Sequence, residues 1–383
     1  MGIHKRQKPD RPLRVVLIGC GRASRAHLKA ISYFEKRGFY SLEGLVDRDS
    51  RIIDEVLRAR SKSRPVPATS DNLKDLLGIR TFDLAVVATP PLTHMDLAME
   101  ALEAGAHLVI EKPLTLDLEE AGQLITAAEE KERLIAVGMK YRYFPGVGEI
   151  RSLIQSGSLG PVLYGTTTVR WGHDQSYYDQ APWFGSWEAE GGALMNQSIH
   201  GLDLMAWLMD ARPVEATAVL ARQSHDMEAA DFVSGILKLE DNRYLLLEGT
   251  TNTDPACQEA SFFLRCEKGT VRASFAGGKQ SVSVRADGGR ELARRILFQA
   301  VRAHIKREGI GVLTQITNPY TFLYADLLDA IGNHRPPIAP GEAGRESLSN
   351  ALALLLAAKE GRTVACPPLG FHIREMAGFF DQS

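Results

Sequence analysis

The stretch Leu13-Arg14-Val15-Val16-Leu17-Ile18-Gly19-Cys20-Gly21-Arg22-Ala23-Ser24 reads as a buried strand running into a glycine turn. Helical character follows from Ala26 to Phe34, which completes strand, glycine turn and helix in the dinucleotide-binding order. Gly19 permits the tight turn, and Gly21 lets the backbone approach a pyrophosphate seated on the amides of the helix start. The third small position holds Ser24 rather than glycine or alanine, which loosens the pattern. A second strand, Leu42 to Val46, ends at Asp47, where a carboxylate accepts from the adenosine ribose hydroxyls. Arg48 could clamp a 2′-phosphate, but Asp47 would repel that group, so NAD is favoured over NADP.

Outward from that turn, strands and helices alternate. Helices are expected over Ile52 to Ala59, Asp71 to Leu77, His94 to Ala104 and Leu118 to Lys131. Strands are expected over Phe82 to Ala88, His107 to Ile110 and Leu134 to Val137, with Ser61 to Thr69 a loop and Thr93 an N-cap. That alternation predicts an α/β Rossmann domain with a parallel sheet over residues 13–138. One of these strands runs into Glu111-Lys112-Pro113, and ligands of such sheets lie beyond the carboxyl ends of the strands. Lys112 therefore stands where a cofactor and substrate would meet. After Gly138 and a helix from Gly146 to Ser156, seven strand-like segments between Val162 and Arg285 follow, mostly without intervening helices. They predict an α+β domain, residues 139–383, with a large, open-faced, mainly antiparallel sheet; residues 1–12 read as a flexible tail.

Composition bounds the function. The 383 residues carry a net charge of -2, with 44% hydrophobic and 24% charged residues, which argues against nucleic acid or a membrane as a partner. The four cysteines form no CxxC pair, the histidines are scattered, and no metal site is expected. The N-terminus lacks the apolar core of a secretory signal, so the cytoplasm is the expected compartment. Residues 289–308 read as a basic amphipathic helix, foremost a solvated face and otherwise a surface for a membrane or an acidic partner. Aromatic residues crowd Gly172 to Trp187, as a packed loop or as faces for sugar rings. In the segment Gly191 to Leu208, Asn196, His200, Asp203 and Trp207 are spaced to share one face of a helix. A polar stripe on an apolar helix is costly unless satisfied or used.

Gly19-Cys20-Gly21-Arg22, the Ala88-Thr89-Pro90-Pro91 loop with His94, Glu111-Lys112-Pro113 and the Gly191 to His200 stretch occur in order and at fitting spacing. With Asn318-Pro319-Tyr320 and the segment through Pro367, they resemble the glucose–fructose oxidoreductase / inositol dehydrogenase / rhizopine catabolism (Gfo/Idh/MocA) family over residues 13–369. The resemblance implies hydride transfer between NAD and a secondary alcohol of a sugar, glycoside, nucleotide sugar or cyclitol. It implies a homodimer or homotetramer formed through the open sheet. Lys112 and His200 fall on the catalytic lysine and histidine, expected to meet over the nicotinamide, and the Lys112–Pro113 bond is expected to be cis. Arg22, Ala23, Arg48, Ala88, Thr89, Pro90, His94 and Glu111 join Gly19, Gly21, Asp47 and Lys112 at the cofactor. Arg142, Tyr178, Trp183, Asn196 and Tyr320 join Lys112 and His200 at the sugar. Asn196 stands where many members carry aspartate, and Glu190 where a third glycine is common. Two alternatives stay open: elimination or hydrolysis of a glycoside through transient oxidation, and a non-catalytic sugar or NAD sensor.

Overall fold

A computed structural model describes residues 6, 8–61, 63–276 and 279–381. The first sheet is assembled from strands that alternate with helices. In chain order these are β1 (Leu13–Ile18), α1 (Ser24–Glu35), β2 (Tyr40–Val46), α2 (Ser50–Ala59), β3 (Ala68–Ser70), α3 (Leu73–Ile79), β4 (Leu84–Val87), α4 (His94–Glu103), β5 (His107–Ile110), α5 (Leu118–Glu130) and β6 (Ile135–Val137). The strand order is β3-β2-β1-β4-β5-β6 and every pairing is parallel. Val15 to Ile18 and Leu84 to Val87 are almost fully buried, as strands covered on both faces must be. Each valine, leucine and isoleucine among them contributes roughly 1.5–3 kcal/mol by leaving water. Side-chain caps fix two helix starts: Asp49 accepts from Arg51 N at 3.0 Å and Asn72 from Lys74 N at 2.9 Å. Thr93 does not cap α4 as expected; its hydroxyl turns back to Thr89 and to the Pro90 carbonyl, both at 2.8 Å.

The second sheet follows α6 (Val147–Gln155). It contains β7 (Val162–Arg170), then, after α7 (Gln175–Tyr178) and α8 (Ile199–Met209), β8 (Pro213–Ala221), β9 (Phe232–Leu239), β10 (Tyr244–Thr250), β11 (Glu259–Cys266), β12 (Gly269–Ala276) and β13 (Lys279–Ala286). After α9 (Ala293–Glu308), α10 (Pro319–Gly332) and α11 (Gly341–Glu360), a short β14 (Val364–Ala365) adds to the edge beside β8. The order is β13-β12-β11-β7-β10-β9-β8-β14, antiparallel except between β7 and β10. One face stays open: Tyr164 pairs with Tyr244 and Ile236 with Leu246, and all four side chains are exposed.

The compact units do not follow the two contiguous halves of the chain. The described residues up to Thr115 group with Glu119–Phe144 and Arg302–Gly344; Leu116–Leu118, Pro145–Val301 and the chain from Arg345 onward form the other unit. Within the first unit, α10 packs on α1. The N-terminal segment is not a loose tail at Arg6, whose guanidinium is buried against Glu308 and Asp329. Among the described residues all four cysteines are free, and no helix is long and apolar enough to cross a membrane.

Candidate active site

Gly19 closes the first turn with φ at +87°, and a Cβ there would lie 2.6 Å from the Ala88 carbonyl oxygen. Only glycine fits both the left-handed backbone and the contact with the end of β4. A Cβ on Gly21 would meet no atom within 4 Å, so the turn faces open space. Ser24 is fully buried, and its hydroxyl donates to the Gly21 carbonyl at 2.7 Å, so the departure from glycine ties the turn together. The Asp47 carboxylate accepts from Cys20 N at 2.7 Å and Asp49 N at 2.9 Å. A carboxylate offers about four acceptor positions, so room remains for ribose hydroxyls. Open glycine, helix start and half-engaged acid fit a dinucleotide. Arg22, Ala23, Arg48 and Pro90 are exposed around this turn, and Ala88 is buried beneath it.

His94 corrects one expectation. It is fully buried; Nδ1 lies 2.9 Å from the Pro113 carbonyl and Nε2 2.9 Å from the Thr89 carbonyl. Burial lowers its pKa, against the pull of those carbonyls. The ring reaches a cofactor only through the loop after β4 and the Lys112-Pro113 turn, which it holds together. The Lys112–Pro113 bond is cis, as the resemblance implied.

Glu111 is likewise a support rather than a ligand contact. Its buried carboxylate accepts from Tyr320 Oη, lies 2.8 Å from His27 Nε2, and accepts from Lys112 N at 3.3 Å. Burial pushes this carboxyl up, but His27, Tyr320 and Lys112 outweigh it and hold it at about 2. Tyr320 therefore sits behind the turn, its ring 4.2 Å from that of His27, with its hydroxyl engaged by Glu111 rather than by a sugar. His27 in turn meets Tyr324 Oη at 3.0 Å. Arg142 is buried too and donates to the Ile338 carbonyl at 3.1 Å, which braces the chain after α10. Lys112 remains half-buried at the strand end.

In the second unit, the segment entering α8 is a π-turn, Leu194–Ser198, of the kind that recurs at functional sites. A Cβ on Gly249 would lie 2.0 Å from Ser198 Oγ, so β10 needs glycine for this turn to approach. The amide of Asn196 donates to Tyr177 Oη at 3.0 Å and to Glu190, which also accepts from Tyr177 Oη at 3.1 Å and from Gly185 N at 2.5 Å. A buried carboxylate thus adjoins the asparagine. Gln197 Nε2 lies 2.9 Å from His173 Nε2, and His173 stacks on Tyr177 at 3.8 Å.

Of the expected four-residue face, His200, Asp203 and Trp207 keep regular helical spacing in α8, and Asn196 falls in the π-turn before it. Asp203 accepts from Ser347 Oγ at 2.7 Å, and Trp207 lies 4.3 Å beneath the Arg151 guanidinium. His200 is 5% exposed. Tyr178 is buried and donates to Thr251 Oγ1 at 2.8 Å, while Trp183 is half-buried and stacks on Phe184 at 3.8 Å. A pocket of about 400 Å³ is lined by Tyr178, Pro182, Phe184, Met227 and Glu228 among others, and Trp183 packs on Phe184 beside it. His27 and His173 carry no sequence signal, because an isolated histidine has no motif of its own; Tyr177 belongs to the aromatic stretch Gly172 to Trp187, with its hydroxyl engaged by Asn196 and Glu190.

Similarity to known proteins agrees with this geometry. The family "Oxidoreductase family, NAD-binding Rossmann fold" matches residues 13–139, and the "GFO/IDH/MocA C-terminal domain" matches residues 147–272. The chain is 26% identical over 345 residues to UDP-N-acetylglucosamine 3-dehydrogenase of Acidithiobacillus ferrooxidans, covering 90% of this chain and 97% of that one. An uncharacterized oxidoreductase of Synechocystis is 28% identical over 198 residues, but the match spans only about half of either chain, 51%. The WlbA dehydrogenase of Bordetella pertussis, crystallised with NADH and UDP-GlcNAcA, superposes with a TM-score of 0.81 at 26% identity, over 94% of this chain and 99% of that one. With both domains matched in order, the chain belongs to the Gfo/Idh/MocA oxidoreductase family, and its first unit carries that family's NAD-binding Rossmann fold.

Proposed function

We propose that the protein is an NAD-dependent dehydrogenase acting on a secondary alcohol of a sugar, with nucleotide sugars as the leading class. The observation that carries this is Lys112, aimed from the end of β5 by a carboxylate that His27 and Tyr320 lock in place. Bound NAD supplies the hydride acceptor. His200 takes the proton from the reacting hydroxyl, a task suited to a histidine near neutral pH. The Lys112 ammonium stabilises the developing alkoxide. Asn196, fixed by Tyr177 and Glu190, holds a neighbouring hydroxyl. The relatives named for UDP-N-acetylglucosamine and crystallised with UDP-GlcNAcA support the nucleotide-sugar class. The aromatic pocket beside Tyr178 suits a sugar or base face. The open apolar sheet face suits a second copy of the chain, and the cytoplasm remains the expected compartment.

The test is NADH formation with a panel of sugars and nucleotide sugars. His200→Ala should lower the turnover number by roughly 10²–10⁴-fold and leave NAD binding near normal. A turned-over product without net NADH would instead favour the transient-oxidation chemistry.

A further inference from the structure

We propose that Lys140 is a second lysine of the substrate site and selects a sugar that carries an oxyanion, a carboxylate or a phosphate. This rests on the reading of the protein as a sugar dehydrogenase.

β6 ends beside β5, and Gly138 N donates to the Ile110 carbonyl at 2.7 Å, so the two chain ends leave the sheet together. Ligands of such sheets lie beyond those ends. Two short backbone bonds fold the next residues tightly: Met139 N to the Val137 carbonyl at 2.7 Å and Lys140 N to the Gly138 carbonyl at 2.8 Å. Gly138 lies against the Glu111 carboxylate, and a Cβ there would stand 3.1 Å from Oε2. The turn that carries Lys140 is therefore laid on the turn that carries Lys112.

The Lys140 side chain is half-buried, with Nζ 5.7 Å from the Tyr141 ring centroid. Among the described residues its ammonium has no hydrogen-bond or ion-pair partner. Burial lowers its pKa, and the field of Glu111 opposes that. Glu111 cannot serve as a full partner, because its oxygens already face His27, Tyr320 and Lys112 N. Lys112 and Lys140 thus follow adjacent strand ends, and both lie within the field of Glu111. An ammonium carries three donors and is costly to leave half-dry without acceptors. An oxyanion on the substrate supplies them.

The experiment measures binding by calorimetry to the full-length protein loaded with NADH. The probes are UDP-N-acetylglucosamine, UDP-N-acetylglucosaminuronate, N-acetylglucosamine 1-phosphate and N-acetylglucosamine. Lys140→Met should weaken one oxyanion-bearing member by roughly 10–100-fold, the range of a charge-assisted hydrogen bond. The probe that lacks that group should bind as before, and Lys140→Arg should retain part of the preference. Loss confined to the uronate identifies a carboxylate, and loss confined to the phosphorylated probes identifies a phosphate. Unchanged NADH binding shows that the variant is folded. Equal effects on all four probes, or none, overturn the role of Lys140 alone. Failure of the unmodified protein to bind any probe overturns this inference for N-acetylglucosamine derivatives, whereas the sugar-dehydrogenase reading falls only if no sugar of the wider panel yields NADH.

Discussion

Asp47 holds the glycine turn through Cys20 N while keeping acceptor capacity for a ribose. Asp47→Ala should weaken NAD binding by about 1.5–3 kcal/mol, as loss of charge-assisted hydrogen bonds implies; titration of cofactor fluorescence measures it. A preference of the unmodified protein for NADPH would contradict this role and favour Arg48. Glu111 gives a second prediction. Its folded pKa, about 2, lies below the ordinary 4.5. A depressed carboxyl contributes stability that is present above about pH 4.5 and is lost as pH falls toward about 2. Glu111→Gln should flatten the stability curve across that window in pH-dependent denaturation and lower turnover by loosening Lys112. Parallel curves would remove Glu111 from the account. The turn of Gly19 and Gly21 with Asp47 was legible because strand, glycines, helix and acid follow one another within a short stretch. The support of Glu111 was not, because His27 lies 84 positions away and Tyr320 lies 209 away.

The parallel strands and seven antiparallel ones stand where their apolar runs place them, give or take a residue or two at each end. Short β3 and β14 were not legible, since two or three residues hold no pattern. Within α11, Ala351 to Leu355 are all fully buried, so no amphipathic stripe marks that half of the helix. The helix carrying His200 misled for another reason. Spacing arguments assume 3.6 residues per turn, and the π-turn at Leu194–Ser198 changes the phase just before His200. The shift falls on Asn196; Asp203 and Trp207 stay in helical register with His200 and meet Ser347 and Arg151. Gly249→Ala should push Ser198 and distort that turn, since its Cβ would fall 2.0 Å from Ser198 Oγ. The expected outcome is a lower melting temperature together with lower turnover. A variant as active and stable as the parent would show that the turn tolerates displacement.

At the scale of the whole molecule, the return of Arg302–Gly344 to the first unit left no mark in composition. That return supplies Tyr320 and Tyr324 to the Glu111 cluster. The open sheet face is marked in the sequence only by strand alternation, yet it exposes Tyr164, Ile236, Tyr244 and Leu246 together. Light scattering should find the protein larger than a monomer, and Ile236→Lys should shift it toward one. A monomeric parent would contradict the use of this face. The proposed reaction, hydride transfer from a sugar alcohol to NAD, is open to a direct assay. Its most direct measurement is NADH absorbance on mixing the protein with NAD and UDP-N-acetylglucosamine or its uronate, beside Lys112→Ala and His200→Ala. The account predicts NADH from the unmodified protein and a loss of roughly 10²-fold or more in each variant. Bound NAD with no NADH from any sugar, or variants as active as the parent, would contradict it.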